Sequence, residues 1–312
     1  MEAGAENMEK VIITGATGFV GRRLLKTMLD QDIEVMALVR EPEALASVES
    51  KNLEVREWHA GDALDSGVFE GWDSMVHMAA YLPANYSDPS EAGRCLEINA
   101  LATLELLRQS AEAGLSKFVY VSSGNIYRPG EDRVSEDFGT YPSWRAPYYL
   151  SSKLVGEIFS DHFGQSGAIE STIVLRPSAI YGPGMGDGGV VPLFAKRLLD
   201  GEPIELSDGG RHQVDLVYVD DVVQAIDKAL NTEVSGQFNV GSGERHTILE
   251  LAEGLLAASG AARELMTVHP TEDGDYQPGF SGLDVSRAKQ LLGYQPTTLR
   301  DGLQIYIEYL QT

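Results

Sequence analysis

The chain has 312 residues, 43% of them hydrophobic, which is enough apolar material for a sizeable core and excludes bulk disorder. Its 47 acidic residues against 24 Lys and Arg leave a formal net charge of −23, so neither nucleic acid nor an anionic membrane is expected as a partner. No run of about 18 apolar residues occurs, the single cysteine (Cys95) permits no internal disulfide, and the 6 histidines lack ligand spacing, so the expectation is a cytoplasmic protein without a membrane span or a metal site.

Residues 1–10 (MEAGAENMEK) are polar and acidic and predict a short disordered extension, not a secretory signal. Lys10–Thr14 (KVIIT) predicts a buried strand. A glycine-rich turn follows, and Leu24, Leu25, Met28 and Leu29 mark a helix. Residues 33–39, 53–58 and 74–78 predict three further strands, the middle one weak. A long helix is expected over 89–113, a fifth strand over 117–122, a helix over 148–163 and a sixth strand over 172–176. Strands alternating with helices predict an α/β fold, a Rossmann-type doubly wound parallel sheet. Beyond Arg176 the texture changes. RPSAIYGPGMGDGG reads as loop, later segments are shorter, and the chain ends in a helix over Leu299–Leu310. The expected division is a dinucleotide-binding domain over 1–176, with a return segment at 213–232, and a smaller substrate lobe over 177–212 and 233–312.

The turn after the first strand reads TGATGFVG. Gly15 permits a tight turn, Gly18 lets the backbone approach a diphosphate, and Gly21 permits close helix–strand packing. The helix N-terminus then faces the phosphates. At the end of the second strand, where NAD enzymes tend to carry an acid, stand Val39 and Arg40. The planar fork of Arg40 suits a 2′-phosphate, with Arg22 and Arg23 nearby, so NADP is expected in preference to NAD.

Tyr149 and Lys153 form Y-x-x-x-K at the start of a helix, one turn apart and on one face. A nearby ammonium favours the phenolate and lowers a tyrosine pKa from about 10. Such a pair suits proton transfer to or from a secondary alcohol.

The sequence closely resembles the extended short-chain dehydrogenase/reductase family, which comprises nucleotide-sugar epimerases, dehydratases and ketoreductases. The resemblance spans nearly the whole chain. It rests on TGATGFVG, GDALD around Asp62, HMAA at 77–80, Asn99, VYVSSGNIY, YLSSK, LRPSAIYGPG, VDLVYVDDVV, FNVGSGE and LDVSRAKQLLGYQP. It implies that Asp62 contacts the adenine, that Ala79 and Ala80 line the cofactor, and that Lys153 binds the nicotinamide ribose. Counting back from Tyr127, it places the catalytic serine at Ser123, beside Tyr149 and Lys153. The implied cofactor set further includes Thr17, Phe19, Val20, Ala63, Asn99, Pro177 and Ile180. The implied substrate set is Tyr81, Gly124, Asn125, Ala179 and Arg211.

The departures from the family pattern carry information. Sugar-nucleotide 4,6-dehydratases carry an Asp-Glu pair where this chain has Gly124 and Asn125, so elimination is not expected. Epimerases of the UDP-galactose type commonly carry an Asn at the position of Ala179, an Arg at that of Val214, and another Arg in the stretch read here as EDGD (272–275). Arg211 is the nearest substitute for these diphosphate ligands.

The resulting expectation is an NAD(P)-dependent ketoreductase or epimerase of a sugar or sugar nucleotide, with net reduction favoured by the NADP reading. A reductase of a non-nucleotide ketone is the first alternative, and a non-enzymatic cofactor sensor the second. The intact Ser123, Tyr149 and Lys153 count against a sensor. Apolar residues spread widely around the 89–113 helix (Leu96, Leu101, Leu104, Leu107) and the 148–163 helix (Leu154, Val155, Ile158, Phe159). With the resemblance, these imply a homodimer joined through a four-helix interface.

Overall fold

The computed structural model describes residues 10–62, 64–65, 67–128, 132–141, 146–270 and 281–312. The expectations for residues 1–9, Ala63 and 272–275 lie outside them.

Seven parallel strands form the central sheet: β1 (Lys10–Thr14), β2 (Glu34–Val39), β3 (Leu53–Glu57), β4 (Ser74–His77), β5 (Lys117–Val121), β6 (Ser171–Pro177) and β7 (Gly236–Val240). Their spatial order is β7-β6-β5-β4-β1-β2-β3. Order reverses between β1 and β4, where successive helices lie on opposite faces and a crevice opens at the carboxyl ends. Alternation along β1 shows both faces covered. Val11 and Ile13 enter the cluster with Leu24, Leu25 and Met28 of α1 (Phe19–Asp30). Ile12 enters the opposite cluster with Met75, Phe118, Leu106 and Leu107. β3 is half-exposed at the sheet edge, which explains its weak sequence signal.

The expected 89–113 helix is interrupted. It contains α2 (Ala92–Leu96), a π-helical turn (Glu97–Leu101) and α3 (Ala102–Ala113). The next long helix, α4 (Pro147–Gln165), packs beside both. Gly156 sets how closely α4 approaches the sheet. A Cβ there would lie 2.4 Å from the Tyr120 hydroxyl of β5, so only glycine fits.

One strand of the sheet lies outside the expected return segment. The seventh strand is β7 at 236–240, beyond the expected segment of 213–232. Within that segment, Leu216–Tyr218 pairs with Ala179–Tyr181 outside the central sheet. Val217 and, through Val222, Ala225 and Ile226, the following α6 (Val219–Leu230) join the core on one face of the sheet. β7 (GQFNV) is a five-residue strand, too short to show periodicity in the sequence. A separate core joins α5 (Val190–Leu199), α7 (Ile248–Ser259) and α8 (Leu299–Leu310) through Phe194, Leu255 and Leu303.

The expected dimer helices expose fewer apolar side chains than the sequence suggested. Leu96 (44%), Leu101 (58%) and Ile158 (58%) face outward, whereas Leu107 is buried in the core. Among the described residues, no helix is long and apolar enough to cross a membrane.

Candidate active site

β1 ends at Thr14, and the turn that follows is built around close backbone contacts. Gly15 adopts φ +77°, and a Cβ there would lie 2.8 Å from the Ala79 nitrogen at the end of β4. A Cβ on Gly21 would lie 2.0 Å from the Gly15 carbonyl oxygen, so α1 can pack on the turn only with glycine there. Gly18 caps α1 without a side-chain hydrogen bond, which leaves the first amides of the helix open.

A buried polar chain joins β1 to β4 and α3. Thr14 Oγ1 accepts the amides of Met78 (3.2 Å) and Ala79 (3.1 Å), so its proton goes to His77 Nδ1 at 2.7 Å. His77 Nε2 then donates to Thr103 Oγ1 at 2.9 Å, which donates to the Asn99 carbonyl at 2.8 Å. Burial, and secondly the charge of Lys153, push the His77 pKa down to about 3, so the ring stays neutral in this role.

The π turn brings Asn99 inward. Its Oδ1 accepts the Tyr81 amide at 2.6 Å, and its Nδ2 donates to the Tyr81 carbonyl and to Ser152 Oγ, both at 3.0 Å. Ser152 Oγ donates to the Tyr149 carbonyl at 2.7 Å. Asn99 therefore ties the loop after β4 to the first turn of α4. It is fully buried and not part of the cleft surface.

The cleft encloses about 630 Å3 at the carboxyl edge of the sheet. One wall is the glycine-rich turn (Gly15, Thr17, Gly18, Phe19, Val20, Gly21) with Arg40 beyond β2. Ala79, Ala80 and Tyr81 form the floor. Ser123, Tyr149, Lys153, Pro177 and Ile180 complete the other wall. The sequence reading missed Trp58, His59 and Ala60 after β3, and also Arg94, Ile98 and Ser122. The first three follow a parallel strand, where the crevice rule could have pointed to them.

Several expected residues lie elsewhere. Asp62 is exposed after β3, its Oδ2 3.5 Å from His59 Nδ1, and does not line the cleft. Arg23 is committed to Asp220 through both carboxylate oxygens, so it is not available to assist Arg40. Arg22 Nε donates to the Thr17 carbonyl at 2.9 Å. Gly124, Asn125, Ala179 and Val214 line a separate small cavity of about 10 Å3 next to Asp215. Arg211 Nε donates to the Asp208 carbonyl at 3.3 Å, and Arg211 does not line the cleft.

The electrostatics of the tyrosine–lysine pair differ from the expectation. Tyr149 packs edge-on against Tyr86, ring centroids 5.8 Å apart. Burial, with smaller contributions from Tyr86 and Cys95, pushes its phenol above the ordinary value, not below it. Lys153 lies with Nζ 4.2 Å from the Tyr120 ring centroid. Burial lowers its pKa to about 7, opposed by Glu157 one turn on, so it carries only part of a charge at neutral pH. Glu157 is itself held by Arg176 at 2.7 Å, and Arg176 Nη1 also donates to the Tyr127 hydroxyl at 2.8 Å.

The lining fits a dinucleotide. The turn offers uncapped helix amides and an approach that Cβ atoms would block. Ser122, only 5% exposed, lines the cleft, and its Oγ has no hydrogen-bond partner among the described residues, which leaves a polar group for a ligand to satisfy. The described lining residues include Arg40, Arg94 and Lys153 but no Asp or Glu, in a chain with 47 acids.

Lys153 gives this site a pH signature. Between about 7 and its ordinary 10.5, the unfolded chain binds a proton at this position that the folded chain lacks. Stability contributed at Lys153 therefore rises with pH through that window. The wild type is expected to gain urea-unfolding stability relative to Lys153→Met from pH 7 to about 10. A difference that stays flat with pH would show that Lys153 titrates normally.

Comparison with known proteins places the chain. The model of the NAD dependent epimerase/dehydratase family matches residues 11–241. A UDP-glucose 4-epimerase of Mycolicibacterium smegmatis is 30% identical, over 97% of this chain and 98% of that protein. A dTDP-4-dehydro-6-deoxy-D-allose reductase of a Streptomyces species is 29% identical over 94% of each. Among solved structures, UDP-glucuronic acid 4-epimerase from Bacillus cereus, in complex with UDP-glucuronic acid and NAD, is similar with a TM-score of 0.82. It is 25% identical, with 97% of this chain and 99% of that one covered. With the seven-stranded sheet and glycine-rich turn already described, these matches identify the chain as a member of the NAD dependent epimerase/dehydratase family, in the extended short-chain dehydrogenase/reductase group.

Proposed function

We propose that the protein catalyses hydride transfer at a secondary alcohol or ketone of a nucleotide sugar, at the sugar C4, as a 4-epimerase or 4-ketoreductase. The observation that carries this reading is Ser123, Tyr149 and Lys153 on one wall of a cleft whose other wall is the glycine-rich turn and whose described lining holds no Asp or Glu. When bound, a nicotinamide supplies the hydride acceptor or donor. The names of the epimerase and reductase relatives support C4 as the position.

Each side chain has a role. Ser123 Oγ accepts the Asn125 amide at 3.2 Å, which leaves its proton to donate to the substrate oxygen. The raised phenol of Tyr149 holds its proton at neutral pH and donates it to that oxygen in the reductive direction. Lys153, when protonated, favours the phenolate left behind. The geometry at Gly124 argues against 4,6-elimination. A Cβ there would lie 2.7 Å from Leu283 Cδ1 and 3.0 Å from the Pro177 carbonyl, so a carboxylate side chain at this position has no room.

Tyr149→Phe keeps the ring and removes the proton. Cofactor binding, read by NADH fluorescence, is expected to persist while turnover falls by about 10²–10⁴. Full activity in this variant would overturn the mechanism. With UDP-glucose and dTDP-4-keto sugars as substrates, isomerisation without change at the nicotinamide absorbance marks an epimerase, and stoichiometric NADPH oxidation marks a reductase. Ala179 and Val214, in place of common diphosphate ligands, favour a second reading, a reductase of a non-nucleotide ketone. Turnover of simple ketones but of no sugar nucleotide would select it.

Arg40 supports NADP over NAD. It is exposed on the cleft wall, and the adjacent Val39 offers no carboxylate to a ribose 2′-hydroxyl. Removing its contact with a 2′-phosphate costs about 1.5–3 kcal/mol. Arg40→Asp is therefore expected to lower the NADPH to NADH affinity ratio tenfold or more (roughly 1.4 kcal/mol per decade). An unchanged ratio would remove Arg40 from the cofactor site.

A homodimer is part of the proposal. Leu96, Leu101 and Ile158 are exposed on the packed layer of α2, the π turn and α4, as a helical interface requires. Light scattering at micromolar concentration is expected to give twice the 33.9 kDa chain mass. A monomer would refute it.

A further inference from the structure

Arg94 projects from α2 onto the loop after β4, with its guanidinium carbon 4.4 Å from the centroid of the Tyr81 ring. That ring is a fixed platform. Its backbone is clamped on both sides by Asn99, at 2.6 and 3.0 Å, and its hydroxyl donates to Glu91 Oε2 at 2.5 Å. Glu91 is thus occupied by the phenol, and among the described residues no ion pair includes Arg94. Elsewhere in this acid-rich chain arginines are commonly paired, as at Arg23, Arg56, Arg108, Arg133, Arg176 and Arg245.

Arg94 lines the same cleft as Tyr149 and Lys153. Its link to the reaction centre is short: Tyr81 bonds to Asn99, Asn99 to Ser152, and Ser152 to the Tyr149 carbonyl. A stacked guanidinium loses freedom and presents the edge of its fork, which matches two oxygens of a phosphate or carboxylate. Neither Asp nor Glu among the described lining residues competes for it.

We propose that Arg94, stacked on Tyr81 in the cleft lining, is an oxyanion receptor and binds a phosphate or carboxylate group of the bound ligand. This rests on the proposed function above. The oxyanion has two possible sources, the cofactor diphosphate and an anionic group of the substrate, and binding measurements distinguish them.

Arg94→Gln removes the charge and keeps a polar side chain at an exposed position, so thermal unfolding should be unchanged. Affinities of wild type and variant would be measured for NADH and NADPH alone, and for UDP-glucose and UDP-glucuronic acid on NAD-loaded protein. A weakening of about tenfold or more is expected for the ligand that Arg94 holds. Loss for both dinucleotides identifies the cofactor diphosphate. Loss for both UDP-sugars with intact dinucleotide binding identifies the substrate diphosphate, and loss for UDP-glucuronic acid alone identifies a sugar carboxylate. Wild-type binding that Arg94→Gln leaves within twofold for all four ligands overturns the inference alone. A wild type that binds none of the four overturns the proposed function, and this inference with it.

Discussion

The placement of α4 depends on a side chain that is absent. Gly156 lets the helix settle onto the Tyr120 hydroxyl, and any Cβ would push the helix off β5. Because Tyr149 and Lys153 stand on the preceding turns, that contact fixes the wall of the cleft that carries them. The same tyrosine ring lies beneath the Lys153 ammonium and stacks on His77, ring centroids 5.6 Å apart. One aromatic side chain therefore relates α4, β4 and, through Thr14, the beginning of the glycine-rich turn.

Behind this contact the polar groups are arranged in layers. Arg176 neutralises Glu157 in the interior, where either charge alone would cost about 3–5 kcal/mol. His77 stays neutral and relays hydrogen bonds without adding charge. The interior thus holds its geometry with compensated or neutral groups, and Lys153 is the buried cation left facing the cleft. Its lowered pKa follows from that position. Desolvation acts in full, while Glu157, the nearest opposing charge, is already shared with Arg176.

Much of the frame is legible in the sequence, because the strands of a parallel sheet are buried on both faces and read as apolar runs. KVIIT and KFVYV show this directly, and TGATGFVG follows the first of them at a position where glycine has a steric reason. The half-exposed β3 and the short β7 are less legible, since neither length nor alternation distinguishes them. The π turn is invisible for a different reason. The helical pattern of 89–113 is read from apolar spacing, and one wide turn shifts the register by less than that spacing resolves. The stacking of Arg94 on Tyr81 depends on that turn, because Asn99 within it holds Tyr81 in place. Ser122 and Ser123 are adjacent in sequence, and only the burial of an unpartnered hydroxyl separates their surroundings. The expectation for the Tyr149 phenol failed because spacing shows that an ammonium is near but not how far water is excluded from both groups.

The separation of charge between the surface and the cleft also governs how a ligand arrives. An anionic dinucleotide or sugar nucleotide approaching a body of net charge −23 meets repulsion at long range. Near the cleft the described lining carries Arg40 and Arg94 but no Asp or Glu, so the local charge opposes that of the body. At physiological ionic strength the far field decays over about 8 Å. Encounter is therefore opposed at long range and favoured only by the cations of the lining. Added salt screens that long-range repulsion, so association quickens with moderate ionic strength, the reverse of what an attractive surface gives.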